Sequence, residues 1–301
     1  MNILTVGSVA YDEVITPFDR RERALGGSAT FFSIAARHFA PVSIVAVIGS
    51  DFNLADEQLL EHKGIDLTGL EKVDGKCFFW KGEYLANWND RITHDTQLNA
   101  FEHFKPKVPT AQRNSDVVFL GNIHPTLQRD VLNQVDKPKI VALDTMNLWI
   151  KETRADLIDT LKHVDFLLIN DSEAAMLSGK RQLVEAAKTI AEMGPKTLCI
   201  KQGEHGAILI QGDQIFIAPA YPLCNVVDPT GAGDSFAGGF IGYLAAQQDF
   251  NFETLKKAVI YGSVMGSFTV ESFSVDRLAS ISDADIEARY REFIKFTHFE
   301  G

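Results

Sequence analysis

A chain of 301 residues, 46% of them hydrophobic, is long enough for one large domain or a domain with an appendage. Its formal net charge of -11 excludes non-specific binding to nucleic acid or to an anionic membrane surface, since both depend on clustered Lys and Arg. No apolar run of about 18 residues and no charged-then-apolar leader occurs, and Cys77, Cys199 and Cys224 form no Cys-x-x-Cys pair, so no membrane span, disulfide framework or zinc site is indicated and the cytoplasm is the expected compartment.

Residues 2–7 form a short apolar run ending in Gly7, the pattern of a buried central strand. Asp12 lies just beyond it. Ligands of open parallel sheets bind past the carboxyl ends of strands, where a carboxylate can accept two hydrogen bonds from neighbouring sugar hydroxyls; a solvated turn acid is the plainer reading. Gly26 and Gly27 precede Ser28, a candidate N-cap for a strongly apolar helix reaching Phe39. The diglycine suits close approach of a ligand to the backbone. Another strand is predicted over residues 42–48 and a helix over 54–63, stopped by Gly64.

From residue 65 to about 104 the character changes to short strands without a long helix. Turns are expected at 81–82 and 87–90, and the segment reads as a small antiparallel flap inserted into the α/β domain. Phe78, Phe79, Trp80, Tyr84 and Trp88 are either a stacking surface for a base or the core and dimer face of a lid. After the proline-containing breaker at 105–109, strand and helix alternate: strands at 117–121, 139–144 and 165–170, with helices at 125–132 and 148–163. Polar residues follow each strand, namely Asn122 and His124, Asp144 and Asn147, Asn170 and Glu173. All would open onto one edge of the sheet. Strands at 197–201, 207–210, 215–218 and 223–227 come next, and Asn251 and Ser282 are candidate caps for two terminal helices.

The stretch Asp228-Pro-Thr-Gly-Ala-Gly-Asp234 opens a further helix. Gly231, Ala232 and Gly233 leave backbone N-H groups bare at a helix N-terminus, where the helix dipole also favours an anion. Asp234 at the rim of that turn is either an ordinary first-turn acid or the acceptor for a proton from an attacking hydroxyl. The third glycine of a dinucleotide fingerprint is absent, Phe236 standing in its place, and no Walker loop occurs.

Together with Phe236, this stretch resembles the C-terminal signature of the PfkB (ribokinase-like) kinases of sugars and nucleosides. The resemblance implies a ribokinase-like α/β fold: a central, mostly parallel sheet flanked by helices, forming a single domain over 1–301 with a small β-sheet lid from about 11–24 and 65–104. It implies that Asp234 is the catalytic base, that Gly231, Ala232 and Gly233 form an anion hole, and that Asp228 helps shape a monovalent-cation (K+) site. Asn170-Asp-Ser-Glu173 is similar to the family's Asn-x-x-Glu motif, whose acid helps hold Mg2+ through water. Lys201, Gly203 and Gly206 match a segment near the ATP phosphates, with Thr230 on the same side. Asp12, Gly26 and Gly27, with Ser28 and Asn147, would hold the acceptor.

Ala10, Ser28 and Phe31 depart from ribokinases proper, which carry Asn, Lys and Asn there. That disfavours ribose, while Gly-Gly-Ser is similar to adenosine-kinase-like members. The terminal helices would wall the adenine, and the helix dipole would lower the pKa of Asp234. The activity implied is transfer of the γ-phosphoryl group of ATP to a primary hydroxyl of a sugar or ribonucleoside, with pairing of two copies through the lid. A catalytically idle binding module is the alternative, and a phosphosugar kinase would need a basic pair near Asp12, for which Arg20, Arg21 and Arg23 are the candidates.

Overall fold

The computed structural model describes residues 1–88 and 90–298; Asn89, in the predicted 87–90 turn, lies outside them. In chain order the first half contains β1 (Ile3–Val6), β2 (Ala10–Ile15), β3 (Arg20–Gly26), α1 (Ser28–Ala36), β4 (Val42–Gly49), α2 (Leu54–His62), β5 (Asp66–Val73), β6 (Phe78–Tyr84), β7 (Arg91–Gln97), β8 (Val117–Leu120), α3 (Pro125–Leu132) and β9 (Ile140–Asp144). The second half contains α4 (Asn147–Glu152), α5 (Arg154–Leu161), β10 (Phe166–Asn170), α6 (Asp171–Ser178), α7 (Leu183–Ala191), β11 (Thr197–Lys201), β12 (Ala207–Gln211) and β13 (Gln214–Ala218). It ends with α8 (Ala232–Gln247), α9 (Phe252–Thr269), α10 (Asp276–Ser280) and α11 (Asp283–Thr297).

Nine strands form the central sheet, in the order β13-β12-β11-β10-β9-β8-β1-β4-β5. All neighbours from β5 to β11 run parallel, and β12 and β13 turn back as antiparallel edge strands. Parallel strands covered on both faces read as continuous apolar runs, and β1, β8 and β9 are accordingly buried along their whole length. One face, carrying Leu4, Val118, Leu143, Ile169 and Ile200, packs against α3 and α5–α7. The opposite face, carrying Ile3, Phe119, Ala142, Leu168 and Cys199, packs against α1, α8 and α9.

A second sheet, β3-β2-β6-β7, stands apart as a lid. Two expectations change here. Residues 66–73 are not in the lid: β5 pairs in parallel with β4, joined to it through α2 as a β-α-β unit. The flap is also mixed rather than antiparallel, because β2 and β6 run parallel. Opposed residues of paired strands share a face, so Asp12 stands on the same face as its partners Ala24 and Trp80. Tyr84 and Val14 are buried against Phe273, with Trp80 and Trp88 packed beside them. The opposite face carries ion pairs such as Lys81–Glu13 at 2.9 Å.

The predicted strand at 223–227 does not form. Pro219, Pro222 and Pro229 remove ladder donors on both sides of it, and Val227 N-H donates instead to the Val270 carbonyl at 2.8 Å. The predicted 148–163 helix is broken at Thr153 (φ -131°, ψ 38°) into α4 and α5. The short helix α7, amphipathic with Ala186, Ala187 and Ile190 buried, was not anticipated.

Candidate active site

Two helix N-termini, those of α1 and α8, meet the carboxyl ends of the parallel strands. At α1, Gly27 adopts φ 98° and ψ 147°, and a Cβ there would lie 2.3 Å from the Ser8 carbonyl oxygen. Only glycine fits that position. A Cβ on Gly26 would meet Asp12 Oδ2 at 2.0 Å, so the absent side chain makes room for the carboxylate. Ser28 is the first helical residue rather than the cap: its N-H donates to Ser8 Oγ (3.0 Å), and its Oγ accepts from Ser8 N-H (3.2 Å). Ala29 N-H donates to the Ser8 carbonyl at 3.0 Å. The structure thus gives the Ser28 hydroxyl to the end of β1.

At α8 the capping residue is Gly231, with φ 75° and no side-chain cap. The first intrahelical bond is Ser235 N-H to the Gly231 carbonyl, 2.9 Å, so the amides of Gly233 and Asp234 precede it and point outward. A Cβ on Gly231 would collide with the Phe31 ring at 2.3 Å. Asp228 folds the approach to this turn, its Oδ1 accepting from Thr230 N-H at 2.8 Å. The Thr230 hydroxyl donates to Tyr84 Oη at 3.3 Å, joining lid to turn. A cavity of about 410 Å³ adjoins the turn, lined by Ala232, Gly233, Lys201, Gly203 and Gly206, with Gly266 and Ser267 of α9 and Trp88 of the lid on its walls. Of the two helices expected to wall a base, α9 lines it; α11 does not.

The sequence profile of the pfkB family carbohydrate kinase matches residues 2–280. The chain belongs to this family. It is 29% identical to a cytidine kinase of Thermococcus kodakarensis over 248 residues, 80% of this chain and 87% of the relative. Among solved structures, the Burkholderia thailandensis nucleoside kinase in complex with ADP-inosine superposes with a TM-score of 0.78 at 19% identity, covering 97% of this chain and 96% of the other. A Vibrio cholerae fructokinase bound to fructose, ADP and calcium gives 0.79 at 17% identity, covering 96% and 98%. The central sheet with its separate small sheet is the ribokinase-like fold, and the protein is a sugar or nucleoside kinase. Among the described residues, no helix is long and apolar enough to cross a membrane.

In this pfkB kinase the site is crowded with carboxylates. Asp12 is only 6% exposed, and burial, then the charges of Asp228 and Asp234, push its pKa up to about 8. The lid strand β2 and the glycine turn therefore share one electrostatic field. Burial pushes Asp228 up to about 6 against the restraint of its hydrogen bonds from Thr230. Asp234 is pushed up to about 7, by burial first and then by the charge of Asp144, offset by Lys201 and Arg91. This reverses the expected lowering: desolvation and a second carboxylate outweigh the helix dipole.

Lys201 is not the solvated charge that a lone strand-end Lys suggests. It is largely buried, its Nζ donates to Asp144 Oδ2 at 2.8 Å, and a Cβ on Gly233 would lie 3.0 Å from that Nζ. Glu173 is a first-turn acid in a reciprocal capping box with Asn170, yet burial and then Asp144 push it up to about 7. Asn147 opens α4 as an exposed residue; the neighbouring polar contact is Trp149 Nε1 donating to Asn122 Oδ1, 2.8 Å. Asp144, Tyr84 and Phe31 were not chosen as site residues from the sequence. For Asp144 the signal was present, an acid closing a buried strand at the ligand-binding edge.

Proposed function

We propose that this pfkB kinase transfers the γ-phosphoryl group of ATP to a primary hydroxyl, with Asp234 as proton acceptor and a ribonucleoside as the favoured acceptor. The observation carrying the reading is Asp234 itself, a half-buried carboxylate at an uncapped helix N-terminus in a field shared with Asp12. Asp12, beside Gly26 and Gly27, holds the acceptor's hydroxyls and directs the primary one toward the turn. Its oxygen forms a bond to the γ-phosphorus as the bond from that phosphorus to the β,γ-bridging oxygen breaks. The electron pair leaves on ADP, and the hydroxyl proton passes to Asp234. The outward amides of the turn and the Lys201 ammonium face the charge that shifts during transfer. ATP lies along the cavity past Thr230, Gly203 and Gly206, and the lid excludes water as a competing nucleophile.

Among the described residues, no group of three or more His, Cys, Asp or Glu is placed to cage a metal directly. The Glu173 carboxylate, fixed by Asn170 N-H at 3.0 Å, suits Mg2+, which keeps several waters and takes its other ligands from phosphates, so Glu173 would reach it through water. When bound, the ion neutralises phosphate charge that would otherwise repel the nucleophile. Asp228, buried with a raised proton affinity, fits the rim of a K+ site, where the cation would replace the proton.

The arginines speak to the acceptor. Arg20 pairs with Glu22 (2.9 Å), Arg21 with Asp276 (3.4 Å) and Arg23 with Asp51 (3.4 Å). Each is already matched to a carboxylate, which disfavours a phosphorylated acceptor. The relatives named as cytidine and nucleoside kinases favour a base-bearing one. ADP formation across a panel of cytidine, inosine, fructose, ribose and fructose phosphates tests this, with the highest kcat/KM expected for a ribonucleoside. Absence of phosphoryl transfer to every acceptor would overturn the reading.

A further inference from the structure

Three neighbouring parallel strands end on the same face of the sheet beneath the mouth of α8. Along β9, Ala142 faces α8, so two residues on Asp144 faces it too; by the same alternation Asn170 follows Leu168 on β10, and Lys201 follows Cys199 on β11. Asn170 is the register partner of Lys201, and β10 lies between β9 and β11. The Lys201 side chain therefore crosses the end of β10 to reach Asp144. Asp144 is itself fixed: Oδ1 accepts from Thr145 N-H at 2.7 Å, Oδ2 takes the ammonium, and its carbonyl accepts from the buried Gln128 amide at 3.2 Å.

Stability does not account for such a pair, because well-packed apolar residues usually do as well as a buried ion pair. Its place does. Lys201 has four rotatable bonds and three carboxylates acting on it, Asp144 in contact and Glu173 and Asp234 beyond. Burial works against its charge, yet these acids hold it above its ordinary pKa. Were Asp144 neutral, the remaining anions drawing the ammonium would be Glu173 and Asp234. An ammonium drawn onto Asp234 would engage one of its oxygens and lower its affinity for the acceptor's proton.

We infer that Asp144 is a positioning residue that acts through Lys201, anchoring the ammonium against Gly233, where phosphoryl oxygens meet it, and keeping it off Asp234. The inference rests on the kinase reading above. It requires Asp144 to matter only while Lys201 is present, which a double-mutant cycle measures. Full-length wild type, Asp144→Asn, Lys201→Met and the double variant are compared with ATP, Mg2+ and the best acceptor from the panel.

The expected result is a fall in kcat of roughly 10²-fold for Asp144→Asn, with acceptor KM within about threefold, and a double variant no slower than Lys201→Met alone. Effects that multiply in the double variant, or kcat of Asp144→Asn within about threefold of wild type, would overturn it. If Asp144→Asn melts below the assay temperature, Asp144→Glu carries the test. It keeps the charge but displaces the ammonium by a methylene, and should lower kcat about tenfold at unchanged acceptor KM; kcat within twofold of wild type would overturn the inference. Wild-type enzyme that phosphorylates nothing overturns the kinase reading and this inference together, whereas active wild type with multiplicative variants overturns this inference alone.

Discussion

The two helix mouths at the site are built from similar sequence, glycines ahead of an apolar helix, and differ in what satisfies their backbone. At α1 the first amides are spoken for: Ser28 and Ala29 both donate to Ser8. At α8 no side chain caps the turn and the amides of Gly233 and Asp234 precede the first helical bond. A sealed mouth cannot take an anion, while an open one lined by glycine, with an ammonium behind it, is suited to nothing else so well. Gly26 thus makes room for the Asp12 carboxylate and Gly27 for the Ser8 carbonyl, whereas Gly231 makes room for the Phe31 ring and Gly233 for the Lys201 ammonium.

Substitutions at the two mouths break or sharpen that comparison. The largest effect is expected at the open one. Gly231→Ala puts a Cβ into the Phe31 ring and on a backbone at φ 75°, and should cost about 1–3 kcal/mol of stability and at least ~10²-fold in kcat/KM as the turn deforms. Equal loss from a substitution at solvent-exposed Gly179, which also has positive φ, would show that strain rather than anion binding is being measured.

Asp12→Asn comes next, with opposite effects on activity and stability. A carboxyl whose folded pKa is raised, here to about 8, binds more protons folded than unfolded between about pH 4 and 8. Its contribution to stability therefore falls as pH rises across that window. The amide variant should melt higher than wild type at pH 8, by about 2–4 °C per kcal/mol relieved, and show a smaller gain at pH 5, while its acceptor KM rises at least ~10-fold. An unchanged Tm at pH 8 would mean that Asp12 is not desolvated.

Ser28→Ala, at the sealed mouth, should have the smallest effect on the reaction. It strips one acceptor from Ser8 N-H and should cost about 1–2 kcal/mol in thermal or urea unfolding, with kcat within about threefold of wild type. A collapse in kcat without loss of stability would return Ser28 to the substrate.

Both mouths were visible in the sequence because their marks are local: positive-φ glycines before an apolar helical run. The parallel sheet was visible for the same reason, each buried strand carrying its own apolar run. What escaped was set by partners far along the chain. Residues 66–73 have the composition of a flap strand, and only pairing with β4 assigns them to the central sheet. Residues 223–227 are rich in β-formers, but the prolines around them and the Val270 carbonyl decide their course. The direction of the Asp234 shift was misjudged because the helix dipole is local, whereas desolvation by the surrounding fold and then the charge of Asp144, ninety residues earlier, are not. The contact of Lys201 with Asp144 is equally non-local, since it needs three strand ends aligned on one face.

The most direct test of the account is the Asp234→Asn variant, assayed for turnover and for ATP binding on the same preparation. A general base of this kind contributes about 10²–10⁴-fold, so kcat should fall by that factor while the Kd for ATP changes by less than about threefold. Turnover within tenfold of wild type, with ATP still bound, would contradict the claim that this carboxylate receives the proton.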